Sequence, residues 1–236
     1  MSSADAGVGT ILTLPDKFGQ IYGLVANGSG YNHYDTDRFK DPAVRLTITP
    51  LANSGVKLLS TWAISPCYYK GEVASKFVAS ALPPATNGPV DAGLNRKRYG
   101  IFTGIRDSRL TLGAHYVQFK GQGETRLNTQ ASPRAVVDAT GHAYSLYGWL
   151  RPLAFVDSAA TRLGLVARYD RVTTNTDTDA RYHVFIGGLT LDLNKRAALS
   201  FDYQEQLSEN SPVINGATIT PSPPLKTWFA HLVANF

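Results

Sequence analysis

Apolar and polar residues alternate along most of this chain with a period of two. In AVRLTITP, Val44, Leu46 and Ile48 share a face, while Arg45, Thr47 and Thr49 share the other. In RLTLGAHYV, Leu110, Leu112, Ala114 and Tyr116 oppose Arg109, Thr111, Gly113 and His115. RLGLVARYD and AALSFDYQEQ repeat the pattern: Leu163, Leu165, Ala167 and Tyr169 in one, Ala197, Leu199, Phe201 and Tyr203 in the other. Helix periodicity is nearly absent. Such alternation predicts strands, here about ten, over 17–27, 42–50, 56–65, 97–106, 109–119, 141–150, 161–172, 181–192, 196–206 and 226–236.

The predicted connections alternate in length. LANSG, DS and NKR are tight turns, whereas GSGYNHYDTDRFKD, the stretch holding ALPPATNGPVDAGLN, GQGETRLNTQASPRAVVDATG and SENSPVINGATITPSPPL are long. One join departs from this rule, since RPLAFVDSAA is no shorter than TTNTDTDA. Short turns at one end and long loops at the other describe an up-and-down meander of the outer-membrane type. The face opposite the apolar one is small, hydroxylic, glycyl and sparsely charged, unlike the charged outer face of a soluble sandwich. Tyr69, Tyr116, Tyr169, Tyr203 and Trp228 fall toward strand ends, where an aromatic girdle would stand.

The last segment, TWFAHLVANF, carries Trp228, Ala230, Leu232, Ala234 and Phe236 on one face up to its final residue. A soluble domain usually finishes in a polar tail. In hydrocarbon every backbone N–H and C=O needs a partner, so the last strand is expected to close a barrel by pairing with the first. The fold class expected is all-β: an antiparallel up-and-down transmembrane β-barrel of about ten strands, with short periplasmic turns and long extracellular loops. Residues 1–16 are read as an irregular N-terminal segment, and 17–236 as the barrel or the C-terminal part of a larger one.

Composition supports this picture. Of 236 residues, 43% are apolar and only 17% charged, too few charges to cover an ordinary soluble surface. The net charge is +5, a modest basic excess that does not by itself choose between nucleic acid, anionic lipid and anionic solutes. The basic residues are spread one per strand, which argues against nucleic acid. No run approaches the ~18 apolar residues of a spanning helix. The start, MSSADAGVGT, does not read as a signal peptide, so the chain is expected to be cytosolic, or a mature or fragmentary form.

Candidate chemistry is sparse. Cys67 is the single cysteine and reads as a packing residue. His33 near Asp35 and Asp37 is the one general-base arrangement that stands out, and it also fits a solvated loop. No hydrolase, zinc-protease or phosphate-loop motif is present, and KGQGETR lacks the G-K-[ST] of a nucleotide-binding loop. No catalytic residue, metal site or cofactor is expected.

Several stretches resemble the phosphate-selective porin O/P family: VANGSGYNHYDTDRFKDPAVRLTITP, NRKRYGIFTGI, LVARYDRVTTNTD and the final strand. The likeness covers the C-terminal portion of that family, whose members have sixteen strands. The aromatic-terminated last strand is also similar to the assembly signal of bacterial outer-membrane proteins. The resemblance implies a bacterial outer-membrane location, contact with outer-membrane lipid and the barrel-assembly machinery, a trimeric state, and passive diffusion of small anions such as phosphate. Strand parity puts Arg45, Lys57, Arg98, Arg109, Arg162 and Arg168 on the inward face, with Asp170, Asp192 and Asp202 as the inward acids. Guanidinium groups suit phosphate oxygens. The same arginines fit ion pairs inside a filled lumen, Arg168 with Asp170 or Asp202. Gly100, Gly104, Gly113, Gly164 and Gly188 either open the lumen or relieve crowding. Two other functions stay open: a plugged structural or adhesive barrel acting through its loops, and a barrel hydrolase.

Overall fold

The computed structural model describes residues 6–28, 39–74, 93–126, 134–156, 162–177, 180–194, 196–209, 213–214, 217–218 and 223–234. The strands are β1 (Gly7–Thr13), β2 (Gly19–Ala26), β3 (Asp41–Ile48), β4 (Ala63–Ala74), β5 (Gly93–Arg106), β6 (Leu110–Arg126), β7 (Arg134–Leu150), β8 (Leu163–Asn175), β9 (Ala180–Asp192), β10 (Ala197–Ser208), β11 (Val213–Ile214), β12 (Ala217–Thr218) and β13 (Leu225–Ala234). Eleven of them form one antiparallel up-and-down sheet, β1 through β10 in chain order followed by β13. β11 and β12 make a separate small hairpin between β10 and β13.

The alternating segments became strands because one side of each ribbon is apolar and the other is small or polar. The tight turns have local causes. Asp107 closes the β5–β6 turn, its carboxylate accepting from the backbone N–H of Arg109 (2.6 Å) and Leu110 (2.9 Å). The β1–β2 turn runs through two left-handed residues, Asp16 (φ 53°) and Lys17 (φ 64°), and Phe18 N–H donates to the Pro15 carbonyl at 3.0 Å. Two successive left-handed residues give a connection whose twist matches paired strands.

Three expectations change. Residues 7–13, assigned to an irregular segment, are β1, paired with β2 along seven positions. The third predicted strand, 56–65, is displaced: β4 begins at Ala63, and Leu59–Thr61 is a 3-10 turn. There the hydroxyls of Ser60 and Thr61 donate back to the carbonyls of Lys57 (2.8 Å) and Leu58 (2.7 Å), a local arrangement that competes with a strand ladder. Finally, the sheet is open. β13 pairs with β10 over ten positions, and β1 fills the edge of β2 that a closing strand would take. Among the described residues β1 and β13 do not pair with each other.

Connections at the end holding the β1–β2 turn are shorter in general, as expected. Residues 49–62 and 151–162 are the long ones there, and they present apolar side chains, Val56, Leu59, Phe155 and Val156 among them. Among the described residues the buried hydrophobic side chains are Leu94 and Ala154 alone. An eleven-stranded sheet thus stands without an ordinary core. No helix among the described residues is long and apolar enough to cross a membrane, which has no bearing on strands.

Candidate functional site

The register divides the sheet into an apolar face and a polar face. On the apolar face one row reads Leu150, Leu165, Leu189, Phe201 and Ala230 across five strands. Its large side chains are exposed: Leu189 at 51%, Phe201 at 60%, and Leu232 one row away at 68%.

Aromatic residues edge this face in pairs on neighbouring strands. Tyr68 faces Tyr99, Tyr116 faces Tyr144, Tyr169 faces Phe185, and Tyr203 faces Trp228. The Tyr68 and Tyr99 ring centroids are 5.3 Å apart, and those of Tyr203 and Trp228 are 4.9 Å apart. Each pair lies two residues nearer the short-turn end than the pair before it, because Tyr99 is level with Gln118, Tyr144 with Arg171, and Phe185 with Glu205. Two residues advance ~6.8 Å along a strand, and two strands span ~9.6 Å across the sheet. The aromatic line therefore cuts the strands as if they leaned about 35° from its normal, the tilt of a closed barrel. From this line Tyr99 to Ile105, Tyr144 to Leu150, Tyr169 to Leu163 and Tyr203 to Ala197 each run six further residues, three of them on the apolar face. Beyond the line, toward the long loops, the same face turns polar with Lys70, Lys97, Gln118, His142, Arg171, His183, Glu205 and Lys226.

This geometry corrects one girdle residue. Tyr68 holds the aromatic line; Tyr69 points to the polar face, where its hydroxyl bonds the Asp41 carboxylate. Displacement of the third strand caused the error.

Of the six predicted inward basic residues, Arg45, Arg98 and Arg168 lie on the polar face within strands. Arg45 lies over the Tyr22 ring at 5.6 Å, and Arg98 over the Tyr69 ring at 5.3 Å, both cation–π contacts. Arg168 is ion-paired with Asp170 at 2.9 Å. The other three lie at the short-turn end, outside strands. Lys57 precedes the 3-10 turn. Arg109 is in the β5–β6 turn, paired with Asp107 at 2.9 Å and lying over Phe155 at 5.0 Å. Arg162 immediately precedes β8 and is exposed. Strand parity does not apply to these three, because turn chemistry ended the strands earlier.

The inward acids are on the polar face and partnered. Asp170 holds Arg168, Asp192 holds Arg151, and Asp202 accepts from Gln204 (2.9 Å) and meets His231 Nε2 at 3.2 Å. Sequence reasoning missed Asp41, which is 5% exposed, as well as Arg96 and Arg151. Arg96 carries the strand parity of Arg98, a signal that would have found it. The five glycines lie on the polar face under neighbouring groups: Gly113 beneath Tyr147, Gly104 beneath Phe102, Gly164 beneath Trp149, Gly100 at Cys67, and Gly188 at Asp202. They relieve crowding.

Trp228, Ala230 and Leu232 of the expected C-terminal signal sit on the apolar face opposite Tyr203, Phe201 and Leu199, and Ala234 is opposite Ala197. Phe236 lies outside the described residues, as do His33, Asp35 and Asp37.

Two places on the polar face bring Ser, His and Asp together: the row His115, Ser145 and Asp170, and the pair Ser200 and His231 with Asp202 one row away. Neither serine hydroxyl is hydrogen-bonded to its histidine among the described residues. On the other face the Tyr169 hydroxyl and His183 Nδ1 are hydrogen-bonded (2.6 Å), and His183 Nε2 meets Glu209 (2.5 Å). That hydrogen bond, with the charges of His183, Arg171 and Arg181, holds the Glu209 carboxyl below its ordinary range. Among the described residues no three His, Cys, Asp or Glu side chains gather as a metal site. Compared with protein-family models, curated proteins and solved structures, the chain finds no match.

Proposed function

We propose that this chain forms the wall of an outer-membrane β-barrel that lets small anions such as phosphate diffuse, and that it is not an enzyme. The observation carrying this reading is the apolar face: exposed Leu, Ile and Phe side chains bounded by an aromatic line from whose normal the strands lean by about 35°, the lean of barrel strands. In water so large an apolar surface would drive aggregation; against lipid tails it is the expected surface. The exposed apolar side chains of the two longer short-end connections extend the band toward the interface. On the lumen side, Arg45 and Arg98 lie over tyrosine rings with Arg96 on the same face, a basic group suited to draw anions without trapping them. The reading requires the sheet to close.

A second reading has its own support. Phe102, Phe119, Tyr147 and Trp149 project over glycines on the polar face, and a barrel near ten strands is close to the size that side chains fill. In that case the barrel is plugged and acts through its loops.

Planar-bilayer recording of refolded protein separates the two. The pore predicts an anion-biased reversal potential under a salt gradient, shifted toward cations by Arg45→Glu with Arg168→Glu. Stable insertion without conductance would retire the pore and leave the plugged barrel.

A further inference from the structure

Just beyond the aromatic line, three lysines face one another on adjacent strands. Lys70 of β4 is directly opposite Lys97 of β5, and Lys97 is directly opposite Lys120 of β6. All three share the apolar face's parity, and Lys70 and Lys97 stand two residues past Tyr68 and Tyr99. Lys70 and Lys120 are exposed and Lys97 is half-buried. Neighbouring strands are ~4.8 Å apart, and like charges directly opposite repel. Elsewhere along this margin the cations are matched: Lys226 with Glu205 at 3.5 Å, and Arg171 with Glu209 at 3.4 Å. The nearest acids on this part of the face are Glu72 and Asp138, one row farther out. Neither makes an ion pair with the three lysines among the described residues.

We propose that the Lys70–Lys97–Lys120 row is a docking site for the phosphorylated headgroup of a membrane lipid. This inference rests on the membrane reading above. A row of three ammonium groups that have no ion pair among the described residues gains a counter-charge from a multivalent phosphate anion. Its place selects the lipid form of phosphate. The lysines border the apolar face rather than the Arg45–Arg98 face, so acyl chains attached to the headgroup run down over Tyr68, Tyr99 and Ile101. A free anion bound there would gain nothing from the apolar surface below.

The test uses the full chain refolded into phosphatidylcholine vesicles containing trace spin-labelled phosphatidic acid or spin-labelled phosphatidylcholine. Heat-modifiable gel migration first establishes insertion. Motionally restricted label then measures which lipid contacts the wall. Each lysine near an anionic headgroup contributes about fivefold, so phosphatidic acid is expected to be enriched at least about fivefold over phosphatidylcholine. Lys70→Gln/Lys97→Gln/Lys120→Gln is expected to bring the ratio near one, and Lys97→Gln alone to an intermediate value. Insertion with no enrichment in the unmutated chain overturns the proposal and leaves the barrel reading standing. Failure to insert overturns both. Loss of enrichment on adding millimolar inorganic phosphate at constant ionic strength reassigns the row to a free anion and also overturns the lipid version.

Discussion

Leu189→Arg distinguishes lipid from water on the apolar face. Leu189 is four residues from Phe185, at the aromatic line, toward the short-turn end. That is ~13.6 Å along the strand, or about 11 Å along the membrane normal at a 35° tilt. An apolar barrel band is ~25 Å tall, so Leu189 stands near its middle. Arginine at the midplane costs about 2–4 kcal/mol, falling to about 0–1 kcal/mol at the interface. Phe185→Arg, on the same strand and face, is therefore the matched control. If instead the face met water, a side chain already 51% exposed would lose little, and both substitutions would stay within about 0.5 kcal/mol. Urea titration in phosphatidylcholine vesicles, read by the heat-modifiable fraction, measures each cost. The expected gap is about 2 kcal/mol, roughly thirtyfold in the folding constant. Equal costs at the two positions would refute the argument.

Three further outcomes are expected. Arg109 N–H, assisted by its side chain and by Leu110 N–H, holds the Asp107 carboxyl below its ordinary range despite burial. Its stabilisation is thus complete above about pH 4, the unfolded value, and is lost as pH falls through the lower folded value. Asp107→Asn should flatten the acid limb of a stability-versus-pH curve and cost about 1 kcal/mol at neutral pH. Lys17→Gly should stabilise the β1–β2 turn by about 0.5 kcal/mol in urea titration, since glycine adopts positive φ without a Cβ clash. Gly113→Ala should destabilise by about 1–3 kcal/mol because its new methyl meets the Tyr147 ring, and Tyr147→Ala should restore most of that loss.

The strands were legible because period-two alternation is a local signal. Six of the eleven sheet strands lie within three residues of their expected spans, β5, β6 and β7 run four to seven residues further toward the long loops than expected, and the parity of Val44 against Arg45 or Leu165 against Arg168 survives in the register. β1 escaped because Val8 and Leu12 alternate with Gly9 and Ile11, so neither face reads as polar. The displaced third strand reflects Ser60 and Thr61, whose hydroxyls bond back to local carbonyls, an option that apolar periodicity does not record. The face of Arg45, Arg98, Arg168, Asp170, Asp192 and Asp202 followed from parity, whereas their partners did not. Pairing Asp192 with Arg151 needs the alignment of β9 with the segment after β7, and the cross-strand lysine row needs the registers of β4, β5 and β6 together.

The strand count bears on how the edges can meet. Directions alternate across the eleven-stranded order, so the first and the eleventh members point the same way. Joining those two rims directly would make a parallel seam in an otherwise antiparallel circuit. Without β1, ten members remain, and β2 and β13 run in opposite senses. A closed wall with a uniform hydrogen-bond pattern would therefore require the seven-residue ribbon at the start of the sheet to leave its place beside β2.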